Sequence, residues 1–138
     1  MTSYVLDACA LVALLKGETG AEKVDRFFQQ AVLGEATLYI SIVNLLEVYY
    51  GFARDIGIAE TVDMLNNIEN TPLVVVDTIS RKVYHEAARI KGTHRKLSLA
   101  DAIGIATAIE RGGIFVTADH HELEAIEKKE EFQFFWFR

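Results

Sequence analysis

The chain has 138 residues, about half of them hydrophobic, with one proline and a formal net charge of −6. That length suffices for a single domain over residues 1–138 with a real core, and nothing in it reads as a linker, an internal repeat or a low-complexity tract. The lone Cys9 excludes an internal disulfide, no apolar run is long enough to span a bilayer, and Ala8 to Leu15 follows an acid without a basic leader; the expectation is a cytoplasmic protein.

In chain order, Ser3 to Leu6 (SYVL) predicts a strand ended by Asp7, and Ala8 to Lys16 a helix stopped by Gly17. A second helix, from about Gly20 to Leu33, carries Ala21, Val24, Phe27, Phe28 and Ala31 on one face. Leu38 to Ser41 is a second strand, followed by a helix over IVNLLEVYYGFAR and another over Ile58 to Ile68. Leu73 to Val76 (LVVV) is a third strand, and Thr78 to Lys91 a helix ended by Gly92. Ser98 to Ile109 (SLADAIGIATAI) is helical, Ile114 to Thr117 a fourth strand, His120 to Lys128 a short helix, and Phe132 to Phe137 (FQFFWF) a last strand with aromatics on both faces, as for an edge strand packed by helices or covered in part by another chain. Short apolar strands alternating with helices predict an α/β fold: a mostly parallel sheet of about five strands, covered on both faces. In such sheets sites form beyond the carboxyl ends of the strands, near a topological switch point.

The helix from Ser98 to Ile109 is apolar nearly all round, which predicts burial, yet it carries Asp101. Burying that charge is costly without compensation. One account is local: Ser98 and Asp101 have capping-box spacing, and an acid suits the first turn of a helix. The other account is a shared acidic pocket. Asp7 directly follows the first strand, Asp119 follows the fourth by one residue, and Glu47 lies one to two turns into the helix after the second strand. Each has its own local explanation, Asp7 and Asp119 as helix caps and Glu47 through its spacing from Asn44. Four acids converging on one sheet edge point instead to one cause, a hard divalent cation such as Mg²⁺ or Mn²⁺, which takes carboxylate oxygens, water and phosphate.

Other chemistries lack their residues. One cysteine and the adjacent His120 and His121 make no zinc site, and no phosphate-cradling glycine loop or nucleophile elbow is present. Cys9, among acids, reads as a small core residue. The net acidity argues against broad nucleic-acid binding. The charge is uneven, however. Lys91, His94, Arg95 and Lys96 form a basic patch in KGTHRK just before Asp101, whereas the segment from Asp119 to Glu131 is strongly acidic.

Four segments, YVLDACALVALL, SIVNLLEVYYG, LSLADAIGIATA and FVTAD, follow one another in an order and spacing that resembles the PIN-domain ribonucleases, and among them the VapC-type toxins of prokaryotic toxin–antitoxin pairs. The resemblance implies Asp7, Glu47, Asp101 and Asp119 as catalytic, metal-binding acids, with Ser98, Thr117 and Asn44 in supporting positions. Cys9 stands where Ser or Asn is frequent, and Asn44 where Ser or Thr is frequent. It further implies a Mg²⁺- or Mn²⁺-dependent endoribonuclease that hydrolyses RNA phosphodiester bonds, leaving a 5′-phosphate and a 3′-hydroxyl. The implied assembly is a homodimer blocked by a cognate antitoxin, with DNA met only through that antitoxin. Lys91, Arg95 and Lys96 are the candidates for gripping the RNA backbone.

Two rival readings stay open at this point. One is a PIN domain that binds RNA or a partner without cutting. The other is a receiver-like signalling domain whose Mg²⁺ pocket would use Asp77, at the end of LVVVD, as phospho-acceptor.

Overall fold

The computed structural model describes residues 1–130 and 132–138; Glu131 and the side chain of Glu122 lie outside the description. The elements are β1 (Thr2–Leu6), α1 (Ala8–Lys16), α2 (Ala21–Val32), β2 (Ala36–Ser41), α3 (Ile42–Ile56), α4 (Ile58–Glu69), β3 (Leu73–Val76), α5 (Arg81–Thr93), α6 (Leu99–Glu110), β4 (Ile114–Thr117), α7 (His120–Glu130) and β5 (Phe134–Trp136). The five strands form one sheet in the order β3-β2-β1-β4-β5. Every pairing is parallel, so the expected "mostly parallel" sheet is wholly so.

Side-chain alternation along the strands builds two cores. Leu6, Leu38, Ile40, Leu73 and Val116 meet α1 to α4 on one face. Val5, Phe115 and Phe134 meet α5 to α7 on the other. The final aromatic run divides the same way. Phe135 packs edge-on to Phe27 with centroids 4.9 Å apart, while Phe134 meets Phe115 at 5.8 Å. This edge strand is thus clothed from both sides by the chain's own helices. Its hydrogen-bonded core is shorter than Phe132 to Phe137, covering only Phe134–Trp136.

Helix α5 departs most from the sequence reading. It starts at Arg81, where Ser80 caps the Val83 N–H at 3.1 Å, and runs past Gly92 to Thr93. Gly92 does not stop it because the His94 N–H still reaches the Ile90 carbonyl at 2.8 Å and the Thr93 hydroxyl bonds the Arg89 carbonyl at 2.9 Å. The Ser80 hydroxyl also bonds the Glu110 carboxylate, so the start of α5 lies beside the end of α6. The two helices therefore run antiparallel. Since α6 leads into β4, its start and the turn at 94–98 lie at the carboxyl edge of the sheet. No helix among the described residues is long and apolar enough to cross a membrane.

Candidate active site

Chain order reverses direction between β1 and β4, which are neighbours in the sheet, and a ligand crevice is expected beyond their carboxyl ends. Asp7 stands there. Its N–H donates to the Val116 carbonyl at 2.9 Å, extending the β1–β4 ladder by one residue. Its backbone is extended (φ −70°, ψ 159°) and it caps α1, so the local account of this acid holds. A cap, however, is ordinarily solvated, and Asp7 is only 4% exposed. Oδ1 accepts the Ala8 N–H at 2.7 Å; Oδ2 accepts the Thr117 hydroxyl at 2.7 Å and the Cys9 thiol at 3.4 Å. Burial pushes the Asp7 carboxyl above its usual range, and the charge of Asp119 adds to the push, against the pull of those three donors.

Thr117 joins two of the acids. Its hydroxyl donates to Asp7 and accepts the Asp119 N–H at 3.2 Å, which fixes the turn that presents half-buried Asp119. Cys9 is more than the core filler expected from sequence, because its Sγ lies within hydrogen-bond range of both Asp7 and Thr117. Burial, and then the Asp7 charge, push its thiol up to about 12, so it serves as a neutral donor and not as a nucleophile.

Glu47 is aimed from α3. Ser41 caps that helix by accepting the Asn44 N–H at 3.1 Å, and its hydroxyl donates to Asn44 Oδ1 at 2.9 Å. Fully buried Asn44 then donates through Nδ2 to Glu47 Oε1 at 3.2 Å and to the Ala100 carbonyl on α6 at 3.5 Å. Burial raises the Glu47 carboxyl, as does nearby Asp7, while the Asn44 amide lowers it. Ser41 and Gly104 are site-building residues that the sequence reading did not single out. The signal for Ser41 was a cap three residues before Asn44. Gly104 announced itself only as a small residue in an apolar helix.

Asp101 lies in the first turn of α6, where Ser98 accepts its N–H at 3.1 Å. The cap is real, yet it does not account for the carboxylate. Burial, followed by the charge of Asp7 and then those of Glu47 and Asp119, pushes this carboxyl up to about 7 despite the helpful Ser98 hydroxyl. All four predicted acids therefore share one electrostatic neighbourhood.

Among the described residues, no three Asp, Glu, His or Cys side chains are drawn together tightly enough to hold a metal ion by themselves. The chemistry of the donor set still fits a hard cation. It is all carboxylate, two of its members are oriented by neutral donors, and its charges are mutually uncompensated. Mg²⁺ commonly uses one or two carboxylates and retains water.

The remaining sequence candidates lie nearby or elsewhere. Arg95 and Lys96 are exposed on the α5–α6 turn, whereas Lys91 donates its ammonium to the Arg95 carbonyl at 2.8 Å. His120 stacks on Trp136 at 4.3 Å and bonds Glu124 and the Arg138 carbonyl, both at 2.7 Å, so it partners α7 and β5 and not the acids. Asp77 is exposed at the end of β3, the sheet's edge strand, with β2 between it and β1. That placement removes the receiver-like reading, whose acceptor must share the pocket.

The family model for the PIN domain matches residues 4–129. No curated protein matches the chain significantly. Several solved structures share its fold. VapBC2 from Rickettsia felis, bound to a promoter DNA fragment, aligns with a TM-score of 0.76 at 17% identity, covering 97% of this chain and 98% of that one. DNA-bound VapBC from Salmonella typhimurium aligns at 0.73 and 16%, covering 100% of both chains. VapC20 from Mycobacterium tuberculosis, a sarcin-ricin loop cleaving toxin, aligns at 0.64 and 16%, covering 90% of this chain and 95% of that one. With the family model spanning nearly its whole length, the chain belongs to the PIN domain family.

Proposed function

We propose that this chain is the toxin of a type II toxin–antitoxin pair, acting as a Mg²⁺- or Mn²⁺-dependent endoribonuclease. The observation that carries the reading is the convergence of Asp7, Glu47, Asp101 and Asp119 at the β1–β4 switch point, where Asp101 is pushed up to about 7 by burial and by the other three. Such clustering costs stability and finds its use when a cation neutralises it.

Asp7, Asp101 and Asp119 would hold the metal, and Glu47, oriented by Asn44, would ligate it or orient its water. The bound ion would supply Lewis-acid polarisation of the phosphoryl oxygens and a more acidic water. Thr117 and Cys9 hold Asp7 in one orientation, and Ser98 fixes the turn that carries Asp101. Arg95 and Lys96 would face the RNA backbone at the same sheet edge. Two of the solved relatives are DNA-bound VapBC complexes, which supports a cognate antitoxin here, with DNA reached through it. A groove of about 900 Å³ among α1, α2 and α4, with Leu11, Leu14, Phe28 and Met64 in its walls, would suit an apolar segment of that partner. The row Ile42, Leu46 and Tyr50 on α3, 38%, 58% and 45% exposed, suits a homodimer contact.

The test is incubation of structured and single-stranded RNA with purified protein in Mg²⁺, in Mn²⁺ and in EDTA, followed by end mapping. Cleavage should require the metal and leave 5′-phosphate ends. Replacing any one acid by its amide should slow cleavage by about 10²-fold or more, the scale of losing one preorganised electrostatic group. Metal-independent cutting, or full activity in Asp101→Asn, would overturn the reading.

A further inference from the structure

The α5–α6 turn and the start of α7 enclose a cavity of about 380 Å³, lined by His94, Arg95, Lys96 and His121 over apolar Leu97 and Ala125. In a chain of net charge −6, no carboxylate lines this cavity among the described residues. The turn is built, not loose. Leu97, 2% exposed, anchors it from below, its N–H bonds the His94 carbonyl at 3.0 Å, and the Lys91 ammonium splints it through the Arg95 carbonyl at 2.8 Å. His94 faces Glu130 at 3.2 Å, and that carboxylate is in turn neutralised by Arg89 at 2.7 Å. Two basic groups of KGTHRK are thus spent on shape. Arg95 and Lys96 make no ion pair among the described residues.

The position matters as much as the charge. Lys96 precedes the Ser98 cap of α6 by two residues, and His121 follows Asp119 by two. The cavity is therefore framed by the two segments that carry Asp101 and Asp119, at the same sheet edge. A polyanion approaching a cluster of carboxylates needs cationic contacts beside it, and these are the ones the fold places there.

We propose that this cavity is a phosphate subsite for single-stranded RNA. It seats a backbone phosphate next along the strand from the phosphodiester at the acidic cluster. Arg95 and Lys96 grip its oxygens, His121 contributes a ring N–H, and Lys91 acts only by holding the turn. The proposal deepens the nuclease reading and rests on it for the direction of the strand. It implies that the enzyme discriminates by length, because a dinucleotide has no second phosphate to place there.

Two measurements on the full chain separate the outcomes. The first is binding of a labelled single-stranded 12-mer RNA in EDTA as salt is raised. Arg95→Ala with Lys96→Ala should lower the salt slope by about 0.7, one single-strand phosphate, with an unchanged melting temperature. Lys91→Ala should lower the melting temperature. The second is metal-dependent cleavage. The double variant should raise KM for the 12-mer several-fold, and by a larger factor than it raises KM for a dinucleotide. Added inorganic phosphate should raise KM for the 12-mer in wild type and not in the double variant. Slope and KM both unchanged would overturn the subsite, as would equal losses on the dinucleotide. Wild-type RNA binding in EDTA that shows the predicted slope change, without cleavage in any metal, would keep the subsite and remove the nuclease reading; no RNA binding at all would remove the subsite.

Discussion

A Cβ placed on Gly104 in α6 would stand 2.5 Å from the Oδ1 of Asn44 in α3. The same atom would lie 2.9 Å from the Phe115 ring. Gly104 thus lets α6 approach both α3 and the sheet closely enough for the Asn44 amide to bond the Ala100 carbonyl at 3.5 Å while holding Glu47. This contact fixes the spacing between the helix bearing Glu47 and the helix bearing Asp101. Gly104→Ala should therefore destabilise the fold by about 1–3 kcal/mol, the usual cost of overpacking. Asn44→Ser should recover part of that loss by removing Oδ1, with the remainder due to Phe115. A double-mutant cycle by urea denaturation measures the coupling; additive losses would contradict it.

Thr117 provides a second point of control. Thr117→Val keeps the shape and removes the 2.7 Å bond to Asp7 and the acceptor for the Asp119 N–H. A buried carboxylate that loses a donor should cost about 1–3 kcal/mol. Loss of the group that orients a ligand should also weaken metal affinity by about 10–100-fold. Calorimetric Mn²⁺ titration checks this, and Thr117→Ser should restore affinity.

Asp101 makes metal-free stability depend on pH. Its carboxyl holds its proton up to about 7 in the folded chain, against the ordinary value of 3.8. Between those values the folded state carries more protons than the unfolded state, so stability falls as pH rises through that window. Asp7 and Glu47, shifted in the same direction, add to the slope. In EDTA, the melting temperature should drop from pH 5 to pH 7.5, and the drop should be smaller in Asp101→Asn. An equal slope in the two proteins would refute the assignment.

Cys9, with its thiol pushed up to about 12, should resist alkylation in the native protein at pH 8 and react once the chain is unfolded. Cys9→Ser preserves a donor to Asp7 and should retain cleavage. Rapid native labelling would contradict the half-buried, neutral thiol.

The parallel sheet was legible because strands such as LVVV and IFVT are short, apolar and separated by helices with clear faces. Helix ends were read well where a side chain makes the cap, as at Asp7 and Ser98, and poorly at Gly92, where the His94 N–H and the Thr93 hydroxyl continue the bonding of α5 past its nominal stop. The acids were legible by position relative to the strand ends. Their supporting contacts were not, since bonds such as Thr117 to Asp7 join residues 110 apart and depend on which strands are neighbours. The separate duties of Lys91, Arg95 and Lys96 were equally invisible, because a charge run does not show which member bonds the backbone.

The claim that the four acids form a metal centre is tested most directly by melting temperatures of wild type and Asp101→Asn, each in EDTA and in Mn²⁺. A ligand that binds only the folded state raises stability by mass action. Wild type should gain strongly from Mn²⁺ and Asp101→Asn little, and in EDTA the variant should be the more stable, because repulsion is relieved. If Mn²⁺ leaves wild type unchanged and the variant is simply less stable, Asp101 is a helix-end residue and the acidic cluster is not a metal centre.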